Sequence, residues 1–255
     1  MPHPLIRKLN SLSPALSAAE TDAVLAIVPE PQPAAAGADI LDALQRPHSC
    51  AVLVEGLAAR YKLTPDGRRQ VVSVHVPGDI LDLYAWVMGR SDYSVLAVSD
   101  CRVSRIGFAD LERLVGLHPR LGIALWRDMA AEGAVFREWV VGLGQRSAYE
   151  RIAHFLCEFA CRLRAVGIGS QDAIPFPLTQ ALLGDTLGMS AVHVNRVLQQ
   201  LRREGLIALS RGQLAIRDLE ALEAAGAFDP AYLAHRPPGH PGPVAPRDAG
   251  AALTG

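Results

Sequence analysis

Thr179 opens a short segment in which Leu182, Leu183 and Leu187 recur at the spacing of one buried helical face, and Gly188 stops it. Ser190 then caps a second segment, Ala191 to Glu204, whose inward stripe is Val194, Val197, Leu198 and Leu201. Glycine tolerates the left-handed backbone of a sharp turn, so this spacing makes two helices meet at a corner that Met189 plugs. The outward face carries His193, Asn195, Arg196, Gln199, Arg202 and Arg203, with no carboxylate before Glu204. Donors and positive charge suit phosphates and base edges. The run LIALSRGQLAI adds two short apolar strands, Leu206 to Leu209 and Gln213 to Ile216, about a turn at Arg211 and Gly212. Together these elements outline a winged helix-turn-helix, which places its second helix in a DNA major groove. A helical hairpin with a solvated polar face is the plainer alternative; cap, turn glycine, basic face and hairpin in this order are more specific than any one of them.

The net charge of the 255 residues is only −1, which looks wrong for a DNA reader until it is divided. Residues 1–144 hold 14 Lys and Arg against 16 Asp and Glu, whereas 145–217 hold 9 against 5, a local +4. All nine are Arg, which can make bidentate contacts that Lys cannot. No apolar run approaches eighteen residues and no basic-then-apolar leader opens the chain, so the expected location is the cytoplasm and no membrane partner is expected. Cys50, Cys101, Cys157 and Cys161 lack the density of a disulfide framework and are expected to be thiols.

Upstream, residues 1–28 form a helical lead with Ser17 and Glu20 as a capping box, and Pro29 to Gly37 a loop. From Ile40 to about Ile106 short β-branched runs alternate with turns. Val72, Val74 and Val76 alternate strictly and Asp66-Gly67 marks a hairpin, so an antiparallel barrel or roll is the natural home. Phe108 to Val115 reads as a short helix. Pro119 then starts a long one, with Leu121, Leu125, Met129, Phe136, Trp139 and Leu143 near one stripe. Such a stripe packs on its own barrel or on a second chain as a coiled coil. Residues 148–166 make another amphipathic helix. From Arg236 the chain is rich in Pro and Gly, and 236–255 are expected to be a disordered tail.

The helix-turn-helix resembles that of the Crp/Fnr family of bacterial transcription regulators. Gly56-Leu57-Ala58-Ala59-Arg60-Tyr61, Asp66-Gly67-Arg68-Arg69-Gln70 and His75-Val76-Pro77-Gly78-Asp79 resemble successive strands and turns of that family's effector domain, and the resemblance covers roughly residues 10–225. It implies an α+β chain in three parts: an N-terminal β jelly-roll effector domain of cyclic-nucleotide-binding type (1–117), a long dimerisation helix with a hinge about Gly142 to Gly144 (118–145), and a Crp-type winged helix-turn-helix domain (146–225). It further implies a homodimer whose two recognition helices read a pseudo-palindromic site, with double-stranded DNA, a second copy and RNA polymerase as partners. The dimerisation contacts would be Leu121, Leu125, Met129, Phe136, Trp139 and Leu143. By the same resemblance base contacts come from Ala191, Val192, Asn195 and Arg196, with Arg196 matching an arginine that contacts guanine. Val192 departs from the family's glutamate and offers only an apolar surface, suited to a thymine methyl. Thr179, Gln180, Ser190, His193, Gln199, Ser210 and Arg211 are the backbone-contact candidates; His193 reads equally well as a solvent-facing helix histidine.

The effector half departs from its relatives. Cyclic-nucleotide-responsive members carry Gly-Glu and then Arg-Ser to hold the cyclic phosphate; here Asp82-Leu83 replaces the first pair, and Ser91-Asp92 falls near the second with Arg90 displaced by one. An aspartate repels phosphate and the positioned guanidinium is lost, so cyclic AMP is not expected. The N-terminal cysteine cluster of the oxygen-sensing members is absent. His154, Cys157 and Cys161 share a helix face opposite its apolar stripe, at spacings that suit a metal or redox pair, although packing explains them equally. His48, His75 and His118 are isolated candidates for haem. No cofactor is expected, and no P-loop, Gly-x-Ser-x-Gly or His-Glu-x-x-His spacing suggests an enzyme. The expected function is a DNA-binding transcription regulator; the alternative is a small-molecule-binding signalling module whose helix-turn-helix serves protein contact.

Overall fold

The computed structural model describes residues 2–12, 14–43, 46–170 and 173–233, so the tail expected from 236 onward lies outside the described residues. Two helices open the chain, α1 (Pro4–Leu12) and α2 (Ala18–Ile27), and Ser17 and Glu20 form the expected capping box.

The roll follows as β1 (Gln32–Ala34), β2 (Asp39–Leu41), β3 (Ser49–Glu55), β4 (Ala58–Leu63), β5 (Arg69–His75), α3 (Leu83–Met88), β6 (Ser94–Ala97) and β7 (Cys101–Gly107). Its antiparallel strands form two sheets, ordered β1-β7-β3 and β2-β6-β4-β5. Between them lie Ala51, Leu53, Ala58, Leu81, Val95, Ala97 and Val103. The alternation expected of Val72, Val74 and Val76 is broken. Arg60 pairs with Ser73 and Tyr61 with Val71, leaving Val72 as the extra residue of a bulge. The bulge changes the phase, so Val71 joins Val74 and Val76 in one buried cluster while Ser73, next to Val72, lines a cavity.

A short helix α4 (Phe108–Leu117) leads into α5 (Pro119–Gln145), whose proline stands in the first turn where its missing N–H costs nothing. The sequence stripe on α5 divides in two. Leu121 and Leu125 are 1% and 4% exposed because they pack with Leu5, Leu9, Ile106 and Leu111 in the chain's own core, and Trp139 is buried against α6 (Ala148–Ala165). These three are therefore not dimer contacts. Met129 is half-buried, whereas Phe136 and Leu143 face out, together with Ile123, Trp126, Val140 and Val141. The glycines expected at the hinge lie within α5. Gly142 is buried inside α5 under Arg146 and Arg151, and the chain turns only at Arg146 and Ser147, where Ser147 and Glu150 form a capping box for α6.

The remaining elements are β8 (Ile174–Pro175), α7 (Gln180–Leu187), α8 (Ala191–Arg203), β9 (Ile207–Ser210), β10 (Gln213–Ile216), α9 (Leu219–Gly226) and a 3-10 turn at Pro230–Leu233. Helix α6 is buried on nearly every side, because α9 covers the face opposite its apolar stripe. His154 therefore bonds the Gly226 carbonyl and the Tyr232 hydroxyl, both at 3.1 Å, and burial pushes the Cys157 thiol up to about 12. The face suggested for a metal or redox pair is a packing surface.

The roll and the helix-turn-helix share one core. The outer surface of the four-stranded sheet, with Leu57, Ala59, Val71, Val74, Val76 and Leu96, belongs to the same cluster as Phe155, Phe159, Leu183, Leu198 and Leu214. Buried charges cross the seam as well. Asp79 of the roll accepts from Lys8 of α1 at 2.7 Å and from Arg162 of α6 at 3.0 Å. Burial alone would raise the Asp79 carboxyl, but Lys8, His75 and Arg162 hold it well below the usual range. Arg162 also faces Glu158 at 3.5 Å, and Glu158 accepts from the Trp139 indole at 3.0 Å and the Tyr232 hydroxyl at 2.8 Å.

Candidate nucleic-acid interface

Helices α7 and α8 are set by the caps that the sequence offers. The Thr179 hydroxyl accepts from the Leu182 N–H at 3.1 Å, and the Ser190 hydroxyl accepts from the His193 N–H at 3.2 Å. Gly188 closes α7 in the left-handed region at φ 64. Within α7, Gly184 permits the closest approach of the corner, since a Cβ there would stand 2.5 Å from the Met189 carbonyl oxygen. Arg151 braces the same corner by donating to the Leu187 carbonyl at 2.5 Å and to the Arg146 carbonyl at 3.0 Å.

Val194, Val197, Leu198 and Leu201 are buried as expected, so α8 turns one face to solvent. Val192, at 81% exposure, Asn195, Arg196, Gln199, Arg202 and Arg203 are all exposed, and Ala191 and His193 are half-buried. Thr179, Gln180, Ser210 and Arg211 are exposed on the adjoining elements, and Ser190 supplies the cap between them. Glu204, the one carboxylate of the helix end, is held away by the Tyr149 hydroxyl and by Gln200 at 3.0 Å. Asp185 of α7 is neutralised by Arg69 of β5 at 2.8 Å. The positive charge counted along the sequence is thus unevenly available. Arg146 is paired with Glu138 at 2.7 Å and Arg162 lies in the core, while among the described residues no hydrogen bond or ion pair engages the side chains of Arg196, Arg211 or Arg217. An exposed guanidinium such as that of Arg196 on α8 is what phosphates and guanine edges require.

Three features escaped the sequence reading. Strand β8 pairs with β10, so the wing is the edge of a three-stranded sheet ordered β8-β10-β9. Arg211 sits at φ 48 beside Gly212 at φ 72, so both residues of the wing turn are left-handed, as two-residue hairpins favour. The Gln180 side-chain amide donates to Asn195 Oδ1 at 3.2 Å, joining α7 to α8 across the motif. No helical periodicity predicts that last contact, because it depends on the crossing of the two helices.

The roll holds a cavity of about 450 Å³ between β4, β5, Tyr84, Tyr93 and α5. Its two cations are committed. Arg60 is paired with Glu132, donates to the Leu81 carbonyl at 2.6 Å and lies over the Tyr93 ring, and Lys62 bonds Asp92 at 2.7 Å. Asp82 does not line this cavity; it is buried, accepts the Ala51 N–H at 2.7 Å, and burial raises its carboxyl to about 6. Arg90 is exposed, while Ser91 bonds the Tyr93 backbone. His75 is buried beside Asp79, His48 is exposed and His118 is half-buried at the start of α5. Among the described residues no group of three or more His, Cys, Asp or Glu is placed to hold a metal ion, and no helix is long and apolar enough to cross a membrane.

Residues 31–118 match the cyclic nucleotide-binding domain, and residues 150–225 match the Crp-like helix-turn-helix domain. The chain is 34% identical over 175 residues to the nitrogen fixation regulation protein FixK of Bradyrhizobium diazoefficiens, covering 69% of this chain and 73% of that protein. It is 24% identical over 203 residues to the fumarate and nitrate reduction regulatory protein of Shigella dysenteriae, covering 80% and 81%. The structure of FixK2 from Bradyrhizobium japonicum superimposes with a TM-score of 0.70 at 26% identity, covering 78% of this chain and 97% of that one.

Proposed function

The chain belongs to the Crp/Fnr family of DNA-binding transcription regulators, and from that premise we propose that it acts in the cytoplasm as a homodimer on a pseudo-palindromic site, with a sensor half that does not hold cyclic AMP. The observation that carries the reading is the exposed Arg196, without a side-chain partner among the described residues, on an α8 face whose described carboxylates, Glu204 and Asp185, are engaged elsewhere. Arg196 is the guanine reader by bidentate donation to O6 and N7, flanked by Ala191, Val192 and Asn195. Thr179, Gln180, Ser190, His193, Gln199, Ser210 and Arg211 surround them as backbone contacts.

The dimer uses the solvent side of α5. Ile123, Trp126, Ala130, Gly133, Arg137 and Val140 follow the 3–4 spacing of a coiled-coil seam, with Phe136 and Leu143 beside it. A seam of this kind supports two recognition helices on a two-fold axis. RNA polymerase remains the expected protein partner. Cyclic AMP is disfavoured because a cyclic phosphate needs a guanidinium free to bind it, and Arg60 already faces Glu132. No catalytic role is proposed.

Selection of bound duplexes from random DNA tests the reading. Wild-type protein is expected to enrich an inverted repeat, and its affinity is expected to fall steeply with salt. Arg196→Ala is expected to lose on the order of tenfold on the selected site and little on non-specific DNA. Salt-insensitive or absent DNA binding would instead support a protein-contact module.

A further inference from the structure

The cross-motif bond between Gln180 and Asn195 bears on which base is read, and it rests on the DNA-reader assignment above. Asn195 lies on the exposed face of α8, between Val192 one turn before it and Arg196 beside it. An asparagine amide carries an acceptor and a donor on the same planar group, about 120° apart. To read adenine it must turn both into the groove at once, taking a hydrogen bond from N6 and giving one to N7. Here the Oδ1 of Asn195 faces Gln180 Nε2 at 3.2 Å, toward α7 rather than outward. The NH2 is then the group presented past the helix, and it can only donate.

We infer that Gln180 is a positioning residue that fixes Asn195 as a donor, so that α8 reads an acceptor edge, guanine, at the Asn195 position rather than adenine. Arg196 is also a pure donor, and Val192 is apolar. Of these three side chains only Asn195 carries an acceptor, and its Oδ1 is turned toward Gln180, so the surface they contribute presents mainly donors to the groove. Gln180 is exposed at the first position of α7, so it can be changed without disturbing the core.

The test compares relative base preference, because a phosphate contact changes affinity for all sequences alike. Duplexes are selected from random DNA by the full-length wild type and by Asn195→Ala, which locates the position that Asn195 reads. Wild type is expected to favour guanine over adenine there by on the order of tenfold. Gln180→Ala frees the amide, and the guanine preference is expected to fall several-fold toward parity. Gln180→Glu can only accept, so it captures the Asn195 NH2 and turns Oδ1 outward; preference is expected to move toward adenine or cytosine. A carboxylate in the first turn is compatible with the helix dipole, which keeps this variant folded. Adenine selected by wild type, or Gln180 variants that weaken all sequences equally while keeping the same preference, would overturn the inference and leave the DNA-reader assignment standing. Absence of sequence-dependent binding by wild type would overturn both.

Discussion

Replacing Arg162 with Met should cost several times what an exposed ion pair is worth. Arg162 is 7% exposed and faces two carboxylates, Asp79 at 3.0 Å and Glu158 at 3.5 Å. Their fates differ when it goes. Asp79 keeps the Lys8 ammonium at 2.7 Å, but Glu158 is left with neutral donors only, Trp139 and Tyr232. A buried charge stripped of its partner typically costs about 3–5 kcal/mol, and most of that should fall on Glu158. Burial already raises the Glu158 carboxyl, and losing Arg162 raises it further. A carboxyl whose folded pKa exceeds its unfolded value binds its proton more tightly in the folded state, so the variant's deficit against wild type should shrink as pH falls from 8 toward 5. Urea unfolding followed by circular dichroism, at one fixed protein concentration, measures this at each pH. Glu158→Gln added to Arg162→Met should recover much of the loss at pH 8. A deficit below about 1 kcal/mol, the value of an exposed pair, would refute the reasoning. So would a double variant no more stable than the single one.

Other outcomes follow from the same geometry. Phe136→Glu with Val140→Glu should leave the helical circular dichroism intact and shift the sedimenting species from dimer to monomer, whereas Leu121→Ala should lower stability by about 2–5 kcal/mol because its side chain fills the chain's own core. Gly184→Val should abolish DNA binding and lower the thermal midpoint, because its Cβ would stand 2.5 Å from the Met189 carbonyl; unchanged binding would mean that the corner can open. Asp82→Asn should keep the bond from Ala51 and remove a buried negative charge whose Oδ2 has no partner among the described residues, stabilising the fold at pH 8 by about 2 kcal/mol. Because burial raises the Asp82 carboxyl to about 6, that gain should fade as pH drops below 6, which urea titrations at pH 8 and 5 would detect.

What was legible in the sequence was local. Thr179, Gly188 and Ser190 act within three or four residues, so the two helices and their corner could be placed from spacing alone. The wing strand β9 begins one residue later than expected, at Ile207, and its partner matches. The long helix was legible as a helix, but its periodicity could not say which apolar residues met the roll and which met solvent. Leu121 and Trp139 lie on the same stripe as Phe136, and only the placement of α1, α4 and α6 around α5 separates them. The bulge at Val72 was hidden for a similar reason, since an extra residue changes the face of every later side chain without altering composition. The ties of Asp79 to Lys8, of Arg162 to Asp79 and of Glu158 to Trp139 gave no signal, because these partners stand 71, 83 and 19 residues apart in the chain.

The two matched regions, 31–118 and 150–225, invite the view that the molecule is a pair of interchangeable modules joined by a rod. Its main apolar cluster contradicts that view, because Val71, Val74 and Val76 of the roll are sealed by side chains of the reader. Cutting the chain at the end of α5 would strip both halves of part of their interior, and each would present a sticky surface to water. Exchanging readers between relatives would therefore require the receiving sheet to change with them. In this chain a change of DNA-reading half is therefore also a change to the outer face of the four-stranded sheet.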